Sequence, residues 1–255
     1  MREELMQQWR EATGPQTPGW DFSALDAVMS EDPAPWDLDA EYRAALAGAA
    51  HVLDMGTGGG EHLLRFASAL PADTTATEGW APNVPVARSA LADIGVPVVE
   101  FGAPDDDPDS VAMPFPDERF DLVLNRHESY SPGEVARVLM PGGVLLTQQV
   151  GSGELHELHE LLDWEPVDLD VTLERFAAEA EAAGLVIERA DRFEGSYRFA
   201  DVTALIRYLR KVPWDAPADF SVERHADALL RLHEQNDGEL ALTLRRFRLC
   251  ARRPL

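Results

Sequence analysis

His51-Val52-Leu53-Asp54-Met55-Gly56-Thr57-Gly58-Gly59-Gly60 decides the fold. The apolar run is short, and glycines cut it off, which is the pattern of a parallel strand buried on both faces. Leu63, Phe66, Ala67 and Leu70 then recur at helical spacing. The glycines therefore occupy a strand-to-helix turn, where bare backbone can bend sharply and lie close to a ligand while a helix N-terminus faces it. A dinucleotide fingerprint requires Gly-x-Gly-x-x-Gly. Its third glycine would fall on Glu61, whose charge opposes a pyrophosphate. A ligand without phosphates suits this turn better.

Working outward, strand and helix patterns alternate. Thr74 to Glu78 reads as a second strand, and Asn83 as the N-cap of a helix that buries Ala87, Ala90, Leu91 and Ile94 and ends at Gly95. Val98 to Phe101 is a third strand and Phe120 to Leu124 a fourth. Ser131-Pro132-Gly133-Glu134 has the form of a capping box with proline at the first helical position. Pro141-Gly142-Gly143 turns the chain into a fifth strand, Val144 to Val150; Thr172 caps a helix ended by Gly184; Leu185 to Arg189 starts a sixth strand. Leu240 to Ala251 is a long final strand whose inward parity changes midway, and a bulge at Arg245-Arg246 would account for the change. Residues 1–48 look helical and irregular, and 193–237 read as a helical insertion around Pro213, Trp214 and Pro217. The alternating pattern, 49–192 with 238–255, defines one α/β domain.

The 255 residues suffice for such a domain with a buried core. No stretch reaches the ~20 apolar residues that span a bilayer, the N-terminus lacks the apolar centre of a signal peptide, and Cys250 is the single cysteine. These features lead us to expect a cytoplasmic protein without disulfides or thiolate metal clusters. With 22 basic against 46 acidic residues the formal charge is −24, a poor match for nucleic acid or anionic membrane. The arginines at 245, 246, 248, 252 and 253 are expected to pair with neighbouring acids. His156-Glu157-Leu158-His159-Glu160 falls one residue short of the zinc-protease spacing and reads as a charged helical face. No metal site is expected.

Glu78 stands 24 positions after Asp54, at the end of the second strand. A carboxylate there can accept two hydrogen bonds from ribose hydroxyls. Gly79 and Trp80 follow, and the Trp80 ring can cover an adenine face.

Residues 52–60 resemble the first motif of the class I S-adenosylmethionine-dependent methyltransferases. Ala112 to Val123, with Met113-Pro114-Phe115-Pro116 and Phe120-Asp121, looks like their segment leading into strand four, and Glu134 to Gly143 is similar to their helix and turn before strand five. The resemblance covers residues 48–151 in order, and its closest style is the small-molecule group that includes quinone C-methyltransferases. It implies a doubly wound, Rossmann-like sheet of seven strands with the last antiparallel. It also implies S-adenosylmethionine as cofactor, with Asp54, Gly56, Thr57, Gly58 and Gly60 on its methionine part and Glu78, Gly79 and Trp80 on its nucleoside. An acid after strand three is expected near the adenine. Asp105, Asp106, Asp107 and Asp109 all compete, and spacing to Met113 favours Asp109.

Methyl transfer from a sulfonium is an in-line displacement that positioning and water exclusion accelerate, so no catalytic motif is obligatory. Asn125-Arg126-His127-Glu128 follows strand four at the ligand edge. Asn125 is counted with the cofactor residues, and His127 or Glu128 can serve as the base for an O–H or N–H acceptor; a hydrogen-bonded loop histidine is the structural alternative. Trp20-Asp21-Phe22, Tyr197-Arg198-Phe199 and Trp214 place the N-terminal segment and the insertion either as a cap over the acceptor or as a packed helical layer. The expected activity is methylation of a small organic acceptor. A protein or RNA methyltransferase and a noncatalytic S-adenosyl-ligand binder are the alternatives.

Overall fold

A computed structural model describes residues 2–14, 19–164, 170–236 and 239–255. The chain opens with α1 (Arg2–Ala12), β1 (Met29–Glu31) and α2 (Leu38–Leu46). It then alternates through β2 (His51–Met55), α3 (Glu61–Leu64), β3 (Asp73–Glu78), α4 (Val84–Ala92), β4 (Val98–Glu100), β5 (Phe120–Arg126), α5 (Pro132–Val138) and β6 (Leu139–Val150). The remaining elements are α6 (His156–Leu161), α7 (Leu173–Ala182), β7 (Val186–Phe199), α8 (Val202–Leu209), α9 (Ala226–Gln235) and β8 (Leu240–Arg252).

These strands form one sheet in the order β1-β7-β8-β6-β5-β2-β3-β4. From β6 to β4 neighbours are parallel, whereas β8 runs antiparallel to both β6 and β7. The chain thus has the doubly wound, Rossmann-like α/β fold with an antiparallel last strand. The expected seven strands become eight, because Met29–Glu31 adds to the far end of β7 opposite Phe199, Arg198 and Tyr197. Three residues carry too little pattern to announce a strand; the partner creates it. The strand lies inside the stretch read as helical and irregular.

The helices bury their apolar faces on this sheet. Leu38, Tyr42 and Leu46 of α2 pack with Phe66 on Val52, Leu122, Leu124 and Leu146. Val135 and Val138 of α5 and Ala180 of α7 cover Leu53, Val123 and Leu145 on the other face. Each fully buried large side chain of this kind contributes ~1.5–3 kcal/mol. A third cluster joins Met6 and Trp9 of α1 to α8, α9 and the Tyr197–Phe199 and Leu240–Leu244 ends of the last two strands. The N-terminal helix and the 200–235 helices are therefore one packed layer. The 237/238 boundary and residues 15–18 lie outside the described residues.

Several local expectations differ from the structure. The sixth strand, β7, runs on to Phe199 beside β8, so residues 193–199, read as part of the helical insertion, lie in the sheet. There is no bulge at Arg245-Arg246, which pair in register with Glu194 and Phe193; the irregularity lies on β7, between Ile187 and Arg189. The parity of β8 changes because its two faces are covered at different ends: Leu240, Leu242 and Leu244 meet the α1/α8/α9 layer, while Leu249 and Ala251 meet α5 and α7. Leu139 already pairs with Phe120, and the register resumes at Leu122–Val144 after the Pro-Gly-Gly detour. The capping box is half made: the Glu134 amide donates to Ser131 Oγ, but the Glu134 carboxylate turns to the Met113 amide and to Arg137. Asn83 makes no side-chain cap, for a reason that belongs to the site.

Candidate active site

The sheet order reverses between β2 and β5, which opens a crevice at the carboxyl ends of the parallel strands. Register brings the ends together: Met55 lies beside Asn125, and Asp54 beside Ala76, two residues before Glu78. The glycine turn is tied to β3 by Thr57 N donating to Thr77 O at 2.8 Å. Gly56 and Gly58 both hold φ +65°, a left-handed geometry that glycine adopts without strain.

Glu78 faces the turn. One of its carboxylate oxygens accepts from Gly58 N at 2.7 Å and the other from Trp80 N at 2.8 Å. Burial pushes its pKa up, against these two amide bonds. Asp54 lies at the base of the turn. Its pKa is pushed up to about 7, chiefly by burial, while the Thr57 hydroxyl and Arg126 pull it down and Glu78 adds repulsion. Glu128 is pushed up to about 8 by burial, then by Glu78 and Asp105. It lies directly on the turn: a Cβ at Gly56 would stand 2.5 Å from Glu128 Cβ.

The other side of the turn is covered by the N-terminal segment. A Cβ at Gly58 would stand 2.2 Å from Trp20 Cδ1. Gly19 N donates to Asn83 Oδ1 at 2.6 Å, and Trp20 N to Glu61 Oε1 at 3.1 Å. Asn83 is fully buried, with Nδ2 unpartnered; it holds the strap instead of capping α4. Nothing in the sequence separated this role from capping, because both use the same residue type at a helix start. Trp20 also contacts Trp214, with ring centroids 5.4 Å apart.

Of the remaining expected residues, Asn125 is bonded within the protein. Its side chain accepts from Gln149 Nε2 at 2.8 Å and Thr147 Oγ1 at 3.1 Å, and donates to Glu128 O at 3.1 Å. It anchors the Glu128 loop, with one Nδ2 hydrogen left beyond these bonds. Trp36 Nε1 donates to Gln148 Oε1, so the amide nitrogen of Gln148 faces His127 Nε2 at 3.1 Å and donates to it. His127, at φ +64°, is thus a hydrogen-bonded loop histidine, and burial with Arg126 and Arg246 nearby lowers its pKa. Asp109 accepts from the Ser131 hydroxyl at the start of α5. Asp105 is the acid of that run whose charge bears on Glu128, and burial raises its pKa.

The elements read as charged surface are pinned down. Glu157 accepts from the Thr243 amide and hydroxyl, and among the described residues no group of histidines, cysteines and acids is placed to hold a metal. The terminal arginines pair with Glu194, Glu154, Asp191, Glu188 and Glu118.

The raised carboxyls fix a pH dependence. Asp54 and Asp215 hold their protons to about pH 7 and Glu128 to about pH 8 in the fold, whereas the unfolded chain releases them near pH 4. Between pH 6.5 and 8.5 the folded state therefore binds more protons, and stability falls as pH rises. His62, lowered to about 4, and His127 are neutral in the fold but about half protonated in the unfolded chain at pH 6.5, so they oppose the trend at the low end of this window, by less than the three acids favour it. The Tm of the ligand-free protein is expected to be higher at pH 6.5 than at pH 8.5, and D54N is expected to flatten the difference.

The chemistry of this crevice defines a class. Bare backbone at Gly56 and Gly58 and the carboxyl groups of Asp54, Glu78 and Glu128 fit a ligand with cationic and hydroxyl groups. They oppose a pyrophosphate. Residues 52–143 match the methyltransferase domain family, and the chain has a Rossmann-like methyltransferase fold. A search of the curated proteins found no match. Among solved structures, a Bacillus halodurans protein provisionally named a methyltransferase is 21% identical with TM-score 0.58, the match covering 86% of this chain and 99% of that one. The YcgJ protein of Bacillus subtilis is 19% identical with TM-score 0.57, covering 86% and 98%. The cyclase SpnF is 18% identical with TM-score 0.51, covering 98% and 93%. At these identities the likeness is one of fold. No described helix is long and apolar enough to cross a membrane.

Proposed function

We propose that this chain is an enzyme that methylates a small organic acceptor with S-adenosylmethionine. The observation that carries the reading is the Glu78 carboxylate facing the Gly58 turn. S-adenosylmethionine, when bound, supplies an already activated methyl group. Asp54 and the Gly56–Gly60 turn would hold its amino-acid part, and Glu78 its ribose. Glu128, near its working range at about 8, is the group placed to take a proton from an O–H or N–H acceptor. His127 is a poorer base, because the Gln148 amide occupies its Nε2. The net charge of −24 opposes RNA as the acceptor.

Calorimetry with S-adenosylhomocysteine, followed by labelled-methyl transfer to metabolite, peptide and RNA pools, tests the proposal. Label entering only the metabolite pool is the expected result; label in peptide or RNA replaces it. Binding without transfer would leave the second reading, a noncatalytic S-adenosyl-ligand binder. That reading has one observation in its favour: Trp20 and Glu128 already fill the space over the glycines.

That packing also yields a prediction. For a ligand to lie on the turn, the Trp20 ring must leave Gly58. Titration with S-adenosylhomocysteine is expected to change tryptophan fluorescence, and W20F is expected to lose most of that change. An unchanged signal in both proteins would mean that the strap stays closed.

A further inference from the structure

We propose that the acceptor carries a carboxylate and that Arg126 is the residue that binds it. This deepens the small-acceptor reading and rests on it. Arg126 is the last residue of β5, paired in the sheet with Gln148 and two positions before Glu128, so it sits at the edge where an acceptor must enter. Among the described residues no ion pair or hydrogen bond engages its side chain, although acids outnumber bases by 46 to 22. Neighbouring arginines behave differently: Arg246 is buried against Glu154, and Arg248 pairs with Glu41 and Asp191.

Arg126 keeps access to solvent, yet surrounding protein disfavours its charge. The groups whose charges bear on it include Tyr42, Arg246, Glu31 and Asp39, together with Asp54, His62 and His127. Tyr42 already donates to Asn125 O, Arg246 is neutralised by Glu154, and Asp39 is engaged by Arg65 and His62. Glu31, exposed on β1, and Asp54, whose pKa is pushed up to about 7, remain as the internal acids with which a ligand carboxylate competes. A guanidinium left partly desolvated without a partner costs stability. Its planar fork matches a carboxylate with two parallel hydrogen bonds. A chain with charge −24 repels anions at long range, so an anionic acceptor needs such a local anchor.

The donor's own carboxylate has the same chemistry, and the experiment separates the two sources. Acetate and benzoate, with acetamide and benzamide as neutral controls, are titrated into the protein with and without saturating S-adenosylhomocysteine, following chemical shifts. At least one carboxylate is expected to bind about tenfold more tightly than its amide, also in the presence of S-adenosylhomocysteine. R126Q is expected to abolish that preference, keep its affinity for S-adenosylhomocysteine, and melt at or above the wild-type temperature. E31Q is expected to strengthen the preference a few-fold. Equal binding of acids and amides to the wild-type protein overturns the proposal. So does a preference that survives in R126Q. Loss of S-adenosylhomocysteine affinity in R126Q, with the preference abolished by that ligand, assigns Arg126 to the donor and overturns the acceptor role. If S-adenosylhomocysteine fails to bind while the carboxylate preference persists and depends on Arg126, the methyl-transfer reading falls and the anion site stands.

Discussion

E78A is expected to lower affinity for S-adenosylhomocysteine by about 100-fold or more, read by calorimetry. The carboxylate accepts two backbone amides, from Gly58 and Trp80, and is the group proposed to hold the ribose. Hydrogen bonds to a charged group contribute ~1.5–3 kcal/mol each, and two of them amount to about two decades or more in a binding constant. Alanine removes them and also leaves both amides without an acceptor at the turn. E78Q keeps the shape and one acceptor oxygen, so it is expected to fall between E78A and the wild-type protein. An E78A variant that bound the ligand as tightly as wild type would remove the central support for the nucleoside site, whatever its melting temperature.

E154A is expected to cause the largest loss of stability, ~3–5 kcal/mol, the range for breaking a buried ion pair by removing one partner. Glu154 and Arg246 are both buried, joined at 2.7 Å, and Arg246 also bonds the Tyr197 hydroxyl and lies over its ring at 5.6 Å. Glu154 further accepts from the Arg245 amide. Removing it leaves a buried guanidinium without a counter-charge. Replacing both partners, as E154L with R246M, is expected to recover much of the loss, because an apolar pair of similar volume carries no desolvation cost. Urea unfolding of the single and double variants measures this, and equal losses in both would mean that packing, not charge, holds the cluster together.

The two variants probe parts of the chain that differed in legibility. The glycine turn, Asp54 and Glu78 were readable because their chemistry is local: a few consecutive residues fix the turn, and strand periodicity places the acid at the end of its neighbour. The parallel order of the sheet and its antiparallel last strand followed from the alternation and from the family resemblance. Asn125 and His127 were placed at the right edge, but their neighbours were not. Only the fold brings Gln148, Gln149 and Thr147 of β6 beside them and engages Asn125 Oδ1 and His127 Nε2.

The strap shows the same division. Trp20 stood out as an aromatic residue outside the alternation, but its position on Gly58, held by Glu61 and Asn83, joins segments more than forty residues apart in the chain. The bulge expected in β8 failed for a related reason. A parity change along one strand looks like an inserted residue until the structure covers each face at a different end. By itself the sequence determined what short-range patterning encodes: where the parallel strands fall, where the backbone is bare, and which acid follows. Only the tertiary structure decided which side chains are spent on one another and which, like Arg126, are left open, because that depends on contacts between distant segments, which no local pattern records.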